Sequence, residues 1–370
     1  MEDAFRFTDE LGPFKLTHIY RPSAGLKAVV AIDNIACGPA IGGVRMAPDV
    51  STEEAFRLAR AMTFKNAAAG LPHGGGKSVI FADPKMPLQK KERLIRAFAS
   101  AIADLTEYIP GPDMGTDELA MGWIKDETGR AVGLPREVGG IPLYEIGATG
   151  FGLVSAIDVA RQHIDMPLKG ARVVIQGFGS VGKHAARFLV DAGAVLVAAS
   201  DTRGAIIDDN GLDLSALMAL KAEGRALHEY ARGRKLPADA VIDVPIWIPA
   251  ARPDVIDSGN VARLRTRLVA EGANIPCTSE AEQTLAARGV LVLPDFIANA
   301  GGVICAAVEY RGGTETAALA LIDEKIRANT AAVLDEARRT GALPRAAATS
   351  LAAARLRRAM RTRRWEGRPG

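Results

Sequence analysis

The chain has 370 residues, 48% hydrophobic and 24% charged, with a net charge of +3. That length allows two domains with separate cores, and the composition is that of a globular protein. The small net charge makes no electrostatic case for nucleic acid or a membrane surface. Three scattered cysteines, Cys37, Cys277 and Cys305, argue against a disulfide framework or a zinc site and suit a reducing cytoplasm.

The opening MEDAFRFTDELG lacks a basic-then-apolar secretory pattern, and no apolar run approaches the roughly 20 residues of a membrane helix. Ser51 to Ala68 is the first clear helix. Ser51 and Glu54 have capping-box spacing, and Ala55, Leu58, Ala59 and Met62 recur on one face. Lys65 falls near that apolar face, so it either snorkels outward or aims at an anion. GLPHGGGKSVIF follows, residues 70–81. A phosphate loop would need glycine at position 71, where Leu71 stands, and a strand before it rather than a helix. The glycines read as a loop, with KSVIFADP as a short buried strand. LQKKERLIRAFASAIADLTEY reads as an amphipathic helix, and IPGPDMGTDE as an irregular turn braced by prolines and glycines. VGGIPLYEIGATGFG looks like a crossing between domains.

Beyond it, ARVVIQGFGSVGKHAARFLVDAGAVLVAASD has the order strand, glycine turn, helix, strand. Further strand-like runs at AVIDVPIWIPA, RLVAEGAN and VLVLPD complete the alternation of a doubly wound parallel sheet. Gly177, Gly179 and Gly182 form G-x-G-x-x-G in that context. The first permits the tight turn, the second lets a pyrophosphate approach the backbone, and the third seats the helix on the strand. The pyrophosphate would then meet the free N–H groups of the helix N-terminus. Asp201 ends the next strand, where an acid accepts hydrogen bonds from the adenosine ribose and disfavours a 2′-phosphate. NAD is therefore preferred, with NADP possible because Arg203 is near. The end of the chain, 332–370, is Ala- and Arg-rich and helical, with RLRRAMRTRRWEGRPG read as a solvated helix and a frayed tail.

A nicotinamide cofactor implies hydride transfer, which calls for a proton-handling group and a cation for an anionic substrate. Lys65, Lys77 and Asp113 are the candidates. Two ammonium groups brought together depress each other's pKa, a carboxylate opposes the shift, and a lysine lowered toward neutrality serves as a general base. On this reading the glycines keep side chains away from the Lys77 amine. Spacing alone favours a surface lysine on a flexible loop over this catalytic reading. His73 reads as a loop residue, or one that tunes Lys77.

The blocks GPAIGGVRMAP, MTFKNAAAGLPHGGGKSVIFADP, PGPDMGTDE, GATGFG, GFGSVG, EGAN and DFIANAGGV occur in that order over positions 38–310. Together they resemble the signature blocks of the Glu/Leu/Phe/Val amino-acid dehydrogenase family. The resemblance implies an α/β protein of two domains, an N-terminal substrate domain with an open sheet and a C-terminal Rossmann domain, with a cleft between them. Residues 1–136 plus 332–370 would form the substrate-binding and oligomerisation domain and 137–331 the NAD-binding domain. Lys65 would bind the substrate α-carboxylate, Lys77 would activate water, and Asp113 would shuttle protons. Gly42 and Gly43 would floor the pocket, with Ile41, Met62, Val303, Ala306 and Asn274 also at the substrate. Thr149, Ser180, Val181, Thr202, Ala250, Asn274 and Asn299 would join Gly177, Gly179, Gly182 and Asp201 at the cofactor. No metal is implied. The reaction would be reversible oxidative deamination to a 2-oxo acid and ammonia, in a cytoplasmic homo-oligomer whose domains close on each other.

Glutamate-specific members place a lysine where Ile41 stands and a serine where Ala306 stands. A glutamate side chain would bury an unpaired carboxylate there, so an apolar amino acid such as leucine, valine or isoleucine is expected. The leucine-type members have a branched residue at the position of Ala306, so a wider pocket is also possible. PDFIANAGGVICAAVEY and KDETG look closer to the glutamate branch. A glutamate dehydrogenase using Arg45 as the missing cation is thus the alternative. A silent NAD-binding regulator is a reading of another class, which the presence of Lys65, Lys77 and Asp113 together opposes.

Overall fold

The structure is a computed structural model that describes residues 5–363, so the tail expected to fray lies outside the described residues. Two compact units divide the chain. The first runs to Leu143 and includes Val303–Ala318 and the residues from Thr349 on; the second comprises Tyr144–Gly302 and Leu319–Ala348.

The first unit contains β1 (Lys15–Arg21), β2 (Leu26–Asn34), β3 (Ala40–Ala47), α1 (Thr52–Ala68), β4 (Gly74–Phe81), α2 (Leu88–Ala101), β5 (Tyr108–Pro112) and α3 (Glu118–Thr128). The sheet order is β1-β2-β4-β3-β5. β3 runs parallel to β4 and β5, while β2 is antiparallel to β1 and β4. Alternation splits the strands between two cores, as period-two side chains require. Val29, Ala31 and Val79 meet Ala55 and Ala59 of α1. Val30, Ile32, Met46 and Ile80 meet Leu94, Ile95 and Phe98 of α2 and Met121 and Ile124 of α3.

The second unit holds α4 (Leu143–Ile146, from its second residue), α5 (Ala148–His163), β6 (Arg172–Gln176), α6 (Ser180–Asp191), β7 (Val195–Asp201), β8 (Gly204–Ile207), α7 (Leu214–Ala222), β9 (Arg234–Leu236), β10 (Ile246–Pro249), β11 (Leu268–Ala270), α8 (Ser279–Ala287), β12 (Leu291–Leu293) and α9 (Asp295–Ala298). Next come α10 (Gly301–Tyr310), α11 (Glu315–Thr340) and α12 (Pro344–Met360), whose residues are shared between the units. The order β12-β11-β10-β6-β7-β8-β9 is parallel through β7, and then β8 and β9 turn back antiparallel. The change of chain direction beside β6 makes the switch point at which such sheets bind ligands.

Several expectations need correction. The glycines at 74–76 belong to β4, a central strand, and not to a loop. A Cβ on Gly75 would stand 2.0 Å from Thr63 N, one on Gly74 1.7 Å from Asn34 O, and one on Gly76 2.8 Å from the Tyr108 ring. These residues lack side chains because α1 and the neighbouring strands pack on the strand itself. Pro110 and Pro112 lie within or at the end of β5, which tolerates them as an edge strand. α2 stops at Ala101, short of the expected end.

The first unit reaches Leu143 rather than 136 and takes part of α10. Within it, Glu309 accepts hydrogen bonds from Leu134 N (3.2 Å) and Ile141 N (2.8 Å). Conversely, 332–348 joins the second unit, where Arg345 enters a carboxylate cluster. Leu143–His163 is, among the described residues, one stretch long and apolar enough to cross a membrane by length and composition. Its buried positions are mostly Gly and Ala, a helix seated closely in a core.

Candidate functional site

Lys77 lies on β4 on the same face as Val79, the face that α1 covers, and is 6% exposed. Its Nζ is ion-paired with Asp113 Oδ2. Asp113 follows β5 directly, with its N–H donating to Thr116 Oγ1 (3.0 Å). Arg45 of β3 donates from Nε to the same Asp113 oxygen (3.1 Å) and from Nη1 to Glu54 Oε1 (2.6 Å). The sheet order, with β3 between β4 and β5, is what brings the three together.

Burial lowers the Lys77 pKa, Asp113 opposes the shift, and Arg45 adds to it. Burial raises that of Asp113, but Lys77 and Arg45 outweigh it and the net shift is downward. Arg45 is thus a cation beside the amine, where nothing in the sequence placed it. Lys65 is half-buried in the last turn of α1, the helix that touches β4 at Gly75.

The residue that keeps the amine's surroundings clear is Gly43. A Cβ there would lie 2.7 Å from Asp113 Cβ and 3.2 Å from Lys77 Nζ. Gly42 faces the other way, its Cβ direction blocked 1.5 Å away by Gly76 O, and its carbonyl accepts from Tyr108 OH (2.9 Å). Ile41 and Ala306 join Ile109 and Val132 in one buried apolar cluster. Met62 and Val303 are half-buried and lie outside that cluster. His73 lies in the short loop before β4, as expected, and is buried there, with Nδ1 3.1 Å from Pro39 O and its ring edge-on to Tyr310.

In the second unit the glycine turn has the shape a dinucleotide requires. Gly177 has φ +102°, and a Cβ on it would meet Ala251 at 2.7 Å. A Cβ on Gly182 would lie 2.1 Å from Gly177 O, where α6 seats on the turn. Gly179 has open space above it and caps α6 with no side chain, so the helix's first N–H groups stay available to an anion. Gly177, Gly179, Asp201, Thr202 and Ala250 line one cavity of about 720 Å³, large enough for a small-molecule ligand. Ser180 is exposed and Val181 half-buried at the start of α6, beside Gly272 and Ala250.

Thr149 lies 3.2 Å from the Cβ position of Gly302. Asn299 is buried and donates to Asn274 Oδ1 (3.1 Å), which joins the EGAN and NAGG segments. Those segments are held from behind by Arg345, which reaches Glu271 (2.5 Å), Glu282 (2.6 Å) and Asp295 (2.8 Å). No group of His, Cys, Asp and Glu among the described residues has the makings of a metal site.

Sequence reasoning missed Arg45 as a partner of the lysine–aspartate pair, and Glu54 behind it. Ser51 does cap α1 at Glu54 N (3.1 Å), but the Glu54 carboxylate goes to Arg45 instead of back to the cap. It also missed Lys221, 3.1 Å from Asp201, and the Arg345 cluster. Only the fold brings those charges together.

A dinucleotide cradle and a desolvated lysine–carboxylate pair in one chain define a nicotinamide-dependent dehydrogenase. Residues 16–130 match the Glu/Leu/Phe/Val dehydrogenase dimerisation domain and residues 139–364 the Glutamate/Leucine/Phenylalanine/Valine dehydrogenase model, and the chain belongs to that family. It is 38% identical over 358 residues to a protein named glutamate dehydrogenase from Aeropyrum pernix, covering 90% of this chain and 85% of the relative. Among solved structures it resembles the hetero-hexameric glutamate dehydrogenase of Thermus thermophilus in its Leu-bound form (TM-score 0.83, 29% identity, 94% and 89% of the two chains). It also resembles L-tryptophan dehydrogenase of Nostoc punctiforme (TM-score 0.74, 27% identity, 95% and 97%). The chain is thus an NAD(P)-dependent amino-acid dehydrogenase acting on a CH–NH2 group.

Proposed function

We propose that this dehydrogenase oxidises an apolar L-amino acid, of the leucine, valine or isoleucine kind, to its 2-oxo acid and ammonia. The observation that carries the reading is the apolar cluster of Ile41, Ile109, Val132 and Ala306, two residues along β3 from the Gly43 that adjoins Lys77 and Asp113. An ionised side chain entering it would lose its hydration with no partner, at a cost of several kcal/mol. Arg45, the cation a glutamate-binding site could have recruited, is already committed to Asp113 and Glu54.

When bound, the nicotinamide supplies the hydride acceptor. The chain's own residues do the rest. Lys65 anchors the α-carboxylate. Lys77, its charged form disfavoured by burial, takes a proton from water as that water adds to the iminium carbon. Asp113 hands protons between Lys77 and the departing amine, and Arg45 holds it in place. Glycine turn, Asp201, Thr202 and Ala250 hold the dinucleotide, with Thr149, Asn274 and Asn299 at its nicotinamide end. The protein works in a reducing cytoplasm, as three free thiols suit, and as a homo-oligomer joined through the dimerisation domain.

A second reading, glutamate as substrate, is favoured by the names of the relatives. A panel of kcat/KM values for leucine, valine, isoleucine and glutamate separates the two. Under the apolar reading, Ile41→Lys with Ala306→Ser gains activity on glutamate and loses it on leucine. A wild-type preference for glutamate, or no gain in the double variant, rejects the assignment.

A further inference from the structure

Ile275 follows Asn274 directly and precedes Pro276, and its φ is +47°. The left-handed region is an outlier for a β-branched residue, and a residue before proline is driven toward extended backbone. Its side chain is 56% exposed, so packing does not hold it there. Such a conformation persists only where the surroundings impose it. Two hydrogen bonds do so. Ile275 N donates to Asp295 Oδ2 (3.0 Å), and Ile275 O accepts from Asp254 N (3.0 Å). Asp254 is itself left-handed, with φ +53°, and it lines the cavity of the glycine turn. Ile256 N then donates to Pro276 O (3.0 Å), so the cavity wall and the segment after Asn274 are joined twice. Asp295 is buried and tightly held. Its Oδ1 accepts from Arg345 Nη1 (2.8 Å), and its N–H donates to Glu271 Oε2 (2.8 Å). Arg345 also bonds Glu271 and Glu282, so its guanidinium has no freedom to swing away.

We propose that Asp295, fixed by Arg345, is a positioning residue for the dinucleotide: it holds Ile275 in the left-handed conformation that sets Asn274 and the Asp254 wall of the cavity. The inference rests on the cofactor reading of that cavity and of Asn274. Without the Asp295 acceptor, Ile275 relaxes toward the extended backbone that its branching and Pro276 favour. Asn274, its chain neighbour, and Asp254, its hydrogen-bond partner, shift with it. Glycine has no such preference, because it enters the left-handed region about as readily as the right. A glycine at position 275 therefore removes the need for the brace. The cluster itself tolerates the loss of one acid: a single guanidinium faces three carboxylates, so removing Asp295 brings its charges closer to balance.

The test is calorimetric titration of the full-length, natively assembled protein with NAD and with NADP, followed for whichever the wild type binds more tightly. Asp295→Ala is expected to raise the dissociation constant about tenfold or more, the factor that goes with one hydrogen bond to a charged acceptor. Adding Ile275→Gly is expected to restore it to within about threefold of wild type, and adding Ile275→Val to leave it as weak as in Asp295→Ala alone. An unchanged constant in Asp295→Ala would overturn the proposal while leaving the dinucleotide site intact. A raised constant that glycine fails to restore, or that valine restores equally, would show that the acid only supports the fold, and would also overturn it. Where Asp295→Ala does not fold, the same series in Arg345→Lys, which keeps the charge but loses the fork that grips Asp295, is read by the same criteria. Binding of neither nucleotide by the wild type would overturn the proposal together with the reading on which it rests.

Discussion

Gly43→Ala is the smallest change that reaches the proposed chemistry. The new methyl would stand 2.7 Å from Asp113 Cβ, 3.1 Å from Pro112 O and 3.2 Å from Lys77 Nζ, where ordinary contact begins at 3.4 Å. Asp113 must retreat by 0.7 Å (3.4 less 2.7) and the lysine nitrogen by 0.2 Å (3.4 less 3.2). Neither has an easy path. β3 is paired to β4 at Val44 and Ser78 and to β5 at Gly43 and Gly111, so the strands cannot spread without losing ladder bonds. Overpacking of this kind costs about 1–3 kcal/mol of stability. A displacement approaching 1 Å at reacting groups costs up to about 100-fold in rate. We therefore expect a folded variant with kcat reduced roughly 10- to 100-fold. The assay is formation of reduced nicotinamide at saturating amino acid, with a thermal melt on the same sample. A folded Gly43→Ala enzyme with kcat within a factor of two of the wild type would refute the placement of the chemistry at Lys77 and Asp113.

Lys77→Ala is expected to bind NAD with unchanged affinity in calorimetry and to lose nearly all turnover; retained turnover would remove Lys77 from the mechanism. Lys65→Ala should chiefly raise KM for the amino acid with a smaller loss in kcat, and an unaltered KM would count against its role at the α-carboxylate. Glu271 gives a pH prediction. Burial pushes its carboxyl up to about 8, Arg345 opposes the shift, and Asp295 and Glu282 add to it. One guanidinium cannot neutralise three carboxylates, so the folded protein holds a proton that the unfolded chain has released. Stability of the second unit should then fall as pH rises from the ordinary glutamate value of 4.5 toward 8, by up to about 1.4 kcal/mol per pH unit. Denaturant titrations at several pH values should show that slope in the wild type and a shallower one in Glu271→Gln; equal slopes would refute the retained proton.

What the sequence disclosed was whatever is local. The turn at Gly177, Gly179 and Gly182 was legible because strand, glycines and helix are contiguous and each glycine answers a separate steric demand. The α1 helix was legible from its cap and periodicity, and the three later parallel strands from their apolar runs. The Gly74–Gly76 run misled because glycine serves both loops and close packing, and only the neighbours at Thr63, Asn34 and Tyr108 distinguish the two. The prolines of β5 misled because edge position is a property of the sheet. Lys77 and Asp113 could be named, but the burial of the lysine and the part played by Arg45 depend on three strands laid side by side. The antiparallel turn of β8 and β9 carried no signal strong enough to separate it from surface loop.

The proposed base is mounted on the most enclosed rung of its sheet. β4 has strands on both sides and α1 resting directly on its backbone, so its amide hydrogens should be among the last to exchange with deuterated solvent. Fraying at the edges of the molecule leaves such a group in register. Warming or mild denaturant should consequently leave the proton-transfer step intact until the whole first unit gives way, and inactivation should track that collapse rather than precede it.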